Sequence, residues 1–88
     1  MAQQDSYIEQ LMEAYGKRLK AMRKAKGYTN YERFAYLHDI GRAQYGKYEK
    51  GADMRLSTFF RVMRAMGITP TEFFSEGFEF ETEQEKEG

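Results

Sequence analysis

The side chains in this sequence that can carry chemistry are unevenly supplied. There is no cysteine and a single histidine, His38. That excludes disulfides, thiolate nucleophiles and Cys-based zinc sites, and a lone imidazole cannot assemble a metal centre. No Gly-rich phosphate loop and no cluster of inward carboxylates is present, so no catalytic residue, metal site or cofactor is expected, and the chain is not read as an enzyme. What remains is cationic. Residues 14–64 hold thirteen Lys and Arg against Glu32, Asp39, Glu49 and Asp53, a net of +9. Residues 1–13 carry −3 and residues 65–88 carry −6, so the formal neutrality of the chain hides a strong segregation. A dense basic middle between acidic ends suits a polyanionic partner, phosphate above all, with an acidic tail able to compete for the same surface.

Those cations need elements to position them, and the chain is punctuated for helices. Ser6 with Glu9, Thr29 with Glu32 and Thr69 with Glu72 each read as a capping box, and Pro70 sits at the first position after Thr69. A first helix is expected from about Tyr7 to Lys26, stopped by Gly27, with Ile8, Leu11, Met12, Tyr15, Leu19 and Met22 on one stripe. Lys17, Arg18, Lys20 and Lys24 fall mainly off that stripe. A second helix, about Asn30 to His38, buries Phe34, Ala35 and Leu37. After the turn Asp39-Ile40-Gly41, a third runs from Arg42 to Lys50 with Gly51 as its stop. A fourth helix starts after Ser57, runs to Met66 and buries Leu56, Phe59, Val62 or Met63, and Met66. A short fifth helix after Pro70 sets Phe73 and Phe74 against the core. The alternation in residues 78–81 suggests a short strand or arm, and from Thr82 on the acidic sequence reads as disordered. The fold class is all-α: one compact five-helix domain over residues 1–75, with a helix-turn-helix unit at about 30–50 and an acidic, flexible tail over 76–88.

From Tyr15 to Phe74 the sequence resembles the lambda-repressor-like, Cro-type (XRE-type) helix-turn-helix family. The resemblance rests on Arg23-Lys24-Ala25-Lys26-Gly27, on Phe34-Ala35, on the run from Ile40 through Tyr48-Glu49-Lys50-Gly51, and on Met66-Gly67-Ile68-Thr69-Pro70. It departs from the pattern where Asp39 replaces the usual turn glycine, where Gly41 replaces a Ser/Thr cap, and where Tyr45 and Tyr48 fill inward positions that Ile or Leu usually takes. In such a fold Ala35 is small because the second and third helices cross there, and Glu49 is free to pair with a basic residue of the first helix such as Arg23.

The resemblance implies that the third helix enters the major groove of double-stranded DNA. Arg42 then addresses guanine O6 and N7, Gln44 adenine, Ala43 a thymine methyl, and Lys47 a base or a phosphate. Gly46 joins this base-contact set as a place where the backbone approaches closely. Phosphate contacts are expected from Asn30 and Tyr31 at the start of the second helix, and from Lys50 and Arg55 after the third. A homodimer on an inverted repeat is the expected state, joined through either Tyr7, Ile8 and Leu11 or the Phe78/Phe80 segment. The function implied is transcriptional regulation, repression foremost. The alternative is an antitoxin-like or other protein-interaction module on the same fold, whose tail binds a protein partner. No apolar run is long enough for a membrane span and residues 1–5 lack the features of a signal peptide, so a cytoplasmic location is expected.

Overall fold

The computed structural model describes residues 5–82. Five helices follow in order: α1 (Ser6–Ala25), α2 (Tyr31–Leu37), α3 (Arg42–Glu49), α4 (Leu56–Met66) and α5 (Pro70–Phe73). There is no strand among the described residues. The expected disorder beyond residue 82 lies outside them.

The helix ends show which polar side chains satisfy the first amides. Thr69 caps α5 as expected, its Oγ1 accepting from the Glu72 N–H at 3.1 Å, with Pro70 at the first position. The other two boxes are replaced by neighbours. Asp5, not Ser6, caps α1, its Oδ1 accepting from the Tyr7 and Ile8 amides at 3.1 and 3.3 Å. Asn30, not Thr29, caps α2 by accepting from the Arg33 amide at 3.0 Å. At both sites two cap-competent residues adjoin, and the carboxylate or amide side chain takes the cap. α4 begins at Leu56 with Arg55 as its cap residue, and it closes at Gly67 in the left-handed region, φ 74°. The turn between α2 and α3 uses the same region at Asp39, φ 62°, which a short polar side chain tolerates better than a bulkier residue.

One core gathers a face from every helix. Leu19 and Met22 of α1, Phe34 and Ala35 of α2, Tyr45 and Tyr48 of α3, Phe59, Val62, Met63 and Met66 of α4, and Phe73 of α5 are all buried. Ala35 is fully enclosed where α2 and α3 pack, in keeping with its expected role. Three side chains assigned to the interior are largely outside it: Leu37 is 52 % exposed, Leu56 65 % and Phe74 51 %. Each leucine sits at a helix terminus, in phase with its stripe but past the surface its helix packs against.

Two arginines of α1 hold the helices in register. Arg18 donates from Nε to the Phe73 carbonyl at 2.6 Å and from Nη2 to the Glu72 carbonyl at 2.9 Å, satisfying the C-terminal end of α5. Arg23 binds Glu49 in a two-pronged pair, Nε to Oε2 at 2.7 Å and Nη2 to Oε1 at 3.0 Å, and also donates to the Tyr28 carbonyl at 2.6 Å. Just before these anchors α1 and the end of α3 nearly touch. A Cβ at Gly16 would stand 2.8 Å from both the Glu49 carbonyl oxygen and the Gly51 nitrogen. The segment after α5 folds back instead of forming a strand. Phe78 stacks on Phe73 and Phe74, the Tyr7 and Phe80 rings meet edge to face, and the Tyr7 hydroxyl donates to the Glu81 carbonyl at 2.7 Å.

Candidate nucleic-acid interface

α3 divides into two faces. Tyr45, Gly46 and Tyr48 are buried, whereas Arg42, Ala43, Gln44 and Lys47 are exposed. Positions 43, 44 and 47 share one side of a helix, and Lys50 continues that side at the C-cap. Arg42 opens the helix. Its cap residue, Gly41, supplies no side-chain acceptor, so the first-turn amides beside the guanidinium present donors at the positive helix end.

The buried face fixes where the exposed one points. Tyr45 and Tyr48 meet edge to face, Tyr45 also packs on Phe34, and the buried Arg23–Glu49 pair ties the last turn of α3 to α1. The Glu49 carboxylate, hydrogen-bonded at both oxygens, holds the Arg23 guanidinium above the ordinary arginine pKa against the opposing effect of burial, so the pair stays charged. The Tyr45 hydroxyl lies beside this pair without a hydrogen bond of acceptable geometry, and burial pushes its phenol well above the usual tyrosine range.

Gly46 is removed from the groove-facing set. It is buried, and the group that approaches it is Tyr31: a Cβ at Gly46 would lie 2.7 Å from Tyr31 Cε1. Glycine at this position gives the Tyr31 ring room to lie across α3, which leaves Tyr31 partly exposed at the start of α2. Beside it Asn30 spends its Oδ1 on the helix cap and keeps its amide N–H donors. Lys50 and Arg55 are both exposed on the segment between α3 and α4. Among the described residues Arg42, Lys47, Lys50 and Arg55 enter no ion pair, whereas Arg18 and Arg23 are committed internally.

Two further residues join this surface. A hollow of about 360 Å³ brings Arg33 and Tyr36 of α2 together with Asn30, Glu32 and Arg42. Tyr36 is 72 % exposed, the most open of the large apolar side chains among the described residues. The available signal was their spacing, one turn apart and on the side of α2 opposite Phe34 and Ala35. Gly16 was also missed. A glycine inside a long amphipathic helix was the clue, because it forgoes helix stability for close approach.

Among the described residues no group of three or more His, Asp and Glu is placed to hold a metal, and no helix is long and apolar enough to cross a membrane. No curated protein sequence and no solved structure matches the chain. A family model described as helix-turn-helix matches residues 19–73.

Proposed function

Since the chain belongs to the helix-turn-helix family of the lambda-repressor and Cro type, whose members are DNA-binding transcription regulators, we propose that it represses transcription by reading double-stranded DNA with α3. The observation that carries this reading is the exposed face Arg42, Ala43, Gln44 and Lys47, free of internal ion pairs and mounted on a buried lock to α1. Arg42 donates two hydrogen bonds to guanine O6 and N7, Ala43 meets a thymine methyl, Gln44 pairs with adenine, and Lys47 reaches a base or the backbone. Asn30, Tyr31, Lys50 and Arg55 flank that face and clamp phosphates, which sets register without reading sequence.

An eight-residue helix contacts few bases, so useful affinity calls for two copies on an inverted repeat, with half-sites about 34 Å apart. The test is selection of sites from a random duplex pool, followed by binding of Arg42→Ala at several salt concentrations. The expected result is an enriched inverted repeat on which Arg42→Ala loses about 1–3 kcal/mol and relaxes choice at one base. Failure to enrich any sequence, with binding governed by salt alone, overturns the reading.

A further inference from the structure

An apolar groove of about 540 Å³ runs between α1, α4 and α5, and none of the residues assigned to DNA lines it. That volume is in the range of small-molecule sites, which are concave, mostly apolar and furnished with few polar groups. Part of the lining is a continuous run of rings. The Phe60 and Phe74 centroids lie 5.8 and 5.7 Å from that of Phe59, and Phe78 is 4.9 Å from Phe74. Phe60 and Phe74 are about half exposed, which leaves their rings open to an occupant.

The polar content of the groove is small and of one kind. Tyr15 lines it, but its hydroxyl is spent in donating to the Ala52 carbonyl at 2.7 Å. Burial first, with Tyr48 and Asp53 adding to it, raises that phenol above the usual tyrosine range, so Tyr15 brings no charge. Asp53 is the one charged residue of the lining, and among the described residues it enters no ion pair. No Lys, Arg or His stands there to hold an anion. A carboxylate without a counter-ion, set beside aromatic rings, is complementary to positive charge. Ring faces are the negative side of the aromatic quadrupole and attract a cation within about 6 Å of their centroids. Leu11, Met12 and Met54 supply the surface on which the hydrocarbon of such a ligand is buried.

We propose that the groove lined by Asp53, Tyr15, Phe60 and Phe74 binds a small lipophilic organic cation, an amine or onium compound with an aromatic or branched hydrocarbon body. Binding there needs nothing from the DNA-facing surface, so it holds whether or not α3 reads sequence.

Tetraphenylphosphonium and tetraphenylborate share size and shape and differ in the sign of their charge. Calorimetric titration of each into the full chain, in sodium buffer, isolates the selection for charge. The phosphonium should bind about tenfold more tightly than the borate, since the rings and the carboxylate favour one ion and oppose the other. Amide shifts in proton–nitrogen correlation spectra locate the ion: those of Leu11, Asp53, Met54 and Phe60 should move with the phosphonium, and those of residues 42–47 should not. Asp53→Asn removes an exposed charge and should weaken phosphonium binding about threefold. Phe60→Leu keeps an apolar side chain without a ring and should weaken it by a similar factor, about threefold. Both positions are exposed, and an unchanged circular dichroism melt confirms that each variant keeps the fold. Absence of phosphonium binding, shifts confined to residues outside the groove, borate held there as tightly as phosphonium, or an affinity unmoved by Asp53→Asn or by Phe60→Leu each overturns the assignment.

Discussion

Replacing Gly16 by alanine sets two effects of known size against each other. In a helix interior alanine is favoured over glycine by about 1 kcal/mol, so propensity alone makes Gly16→Ala stabilising. Packing opposes it. The new methyl would lie 2.8 Å from the Glu49 carbonyl oxygen, 2.8 Å from the Gly51 nitrogen and 3.1 Å from the Glu49 carbonyl carbon. Comfortable contacts begin near 3.5 Å. All three neighbours are backbone, and that backbone is held by the two-pronged Arg23–Glu49 pair, so it cannot yield cheaply. Overpacking of this kind costs about 1–3 kcal/mol, and a rigid receiver puts Gly16→Ala at the upper end. The net is a loss of about 2 kcal/mol, which for a domain of this size lowers Tm by about 8–16 °C. Gly46→Ala is the control. It has the same propensity gain, and the atom in its way belongs to the partly exposed Tyr31 ring, which can swing outward, so its Tm should stay near that of the wild type. Thermal unfolding followed by circular dichroism measures both. A Gly16→Ala protein as stable as the wild type, or more so, would refute the packing argument.

Other perturbations test the lock and the grip. Glu49→Ala leaves the Arg23 guanidinium, 3 % exposed, with only the Tyr28 carbonyl as an acceptor, and should cost about 3–5 kcal/mol in urea unfolding. The double substitution Arg23→Met with Glu49→Leu should recover much of that loss, and a double mutant no better than Glu49→Ala would contradict it. Arg33→Ala should leave base preference intact while reducing the slope of log affinity against log salt by about 0.9, the share of one phosphate contact. An unchanged slope would take Arg33 out of the interface.

The helices were legible because this chain marks their ends in its own residues: Gly27, Gly51 and Gly67 after the runs, and Thr69-Pro70 before the last. Caps were legible only to within a residue. Asp5-Ser6 and Thr29-Asn30 each offer two competent side chains, and the choice between them depends on where the apolar stripe meets the core. Leu37 and Leu56 were misplaced because periodicity says which way a side chain points, not whether another element lies there. The exposed face of α3 followed from resemblance to a known family, as did the Arg23–Glu49 pair. Gly46 is closed off from that face because Tyr31, fifteen positions earlier, covers it. The roles of Arg18 and Gly16 depend on partners thirty-three to fifty-seven positions away and become visible only when α1 is laid across α3 and α5.

The seclusion of the Arg23–Glu49 pair has a consequence for how the protein behaves as ionic strength changes. Dissolved ions shield exposed charges over about 8 Å at physiological strength but act far less on charges sealed from water. Lys47, Lys50 and Arg55 are open to that shielding, whereas the lock between α1 and α3 is not. Added salt therefore turns down the grip on the backbone while the reading helix keeps its aim. Affinity should fall steadily as salt rises, and the order in which the protein ranks competing sites should stay the same.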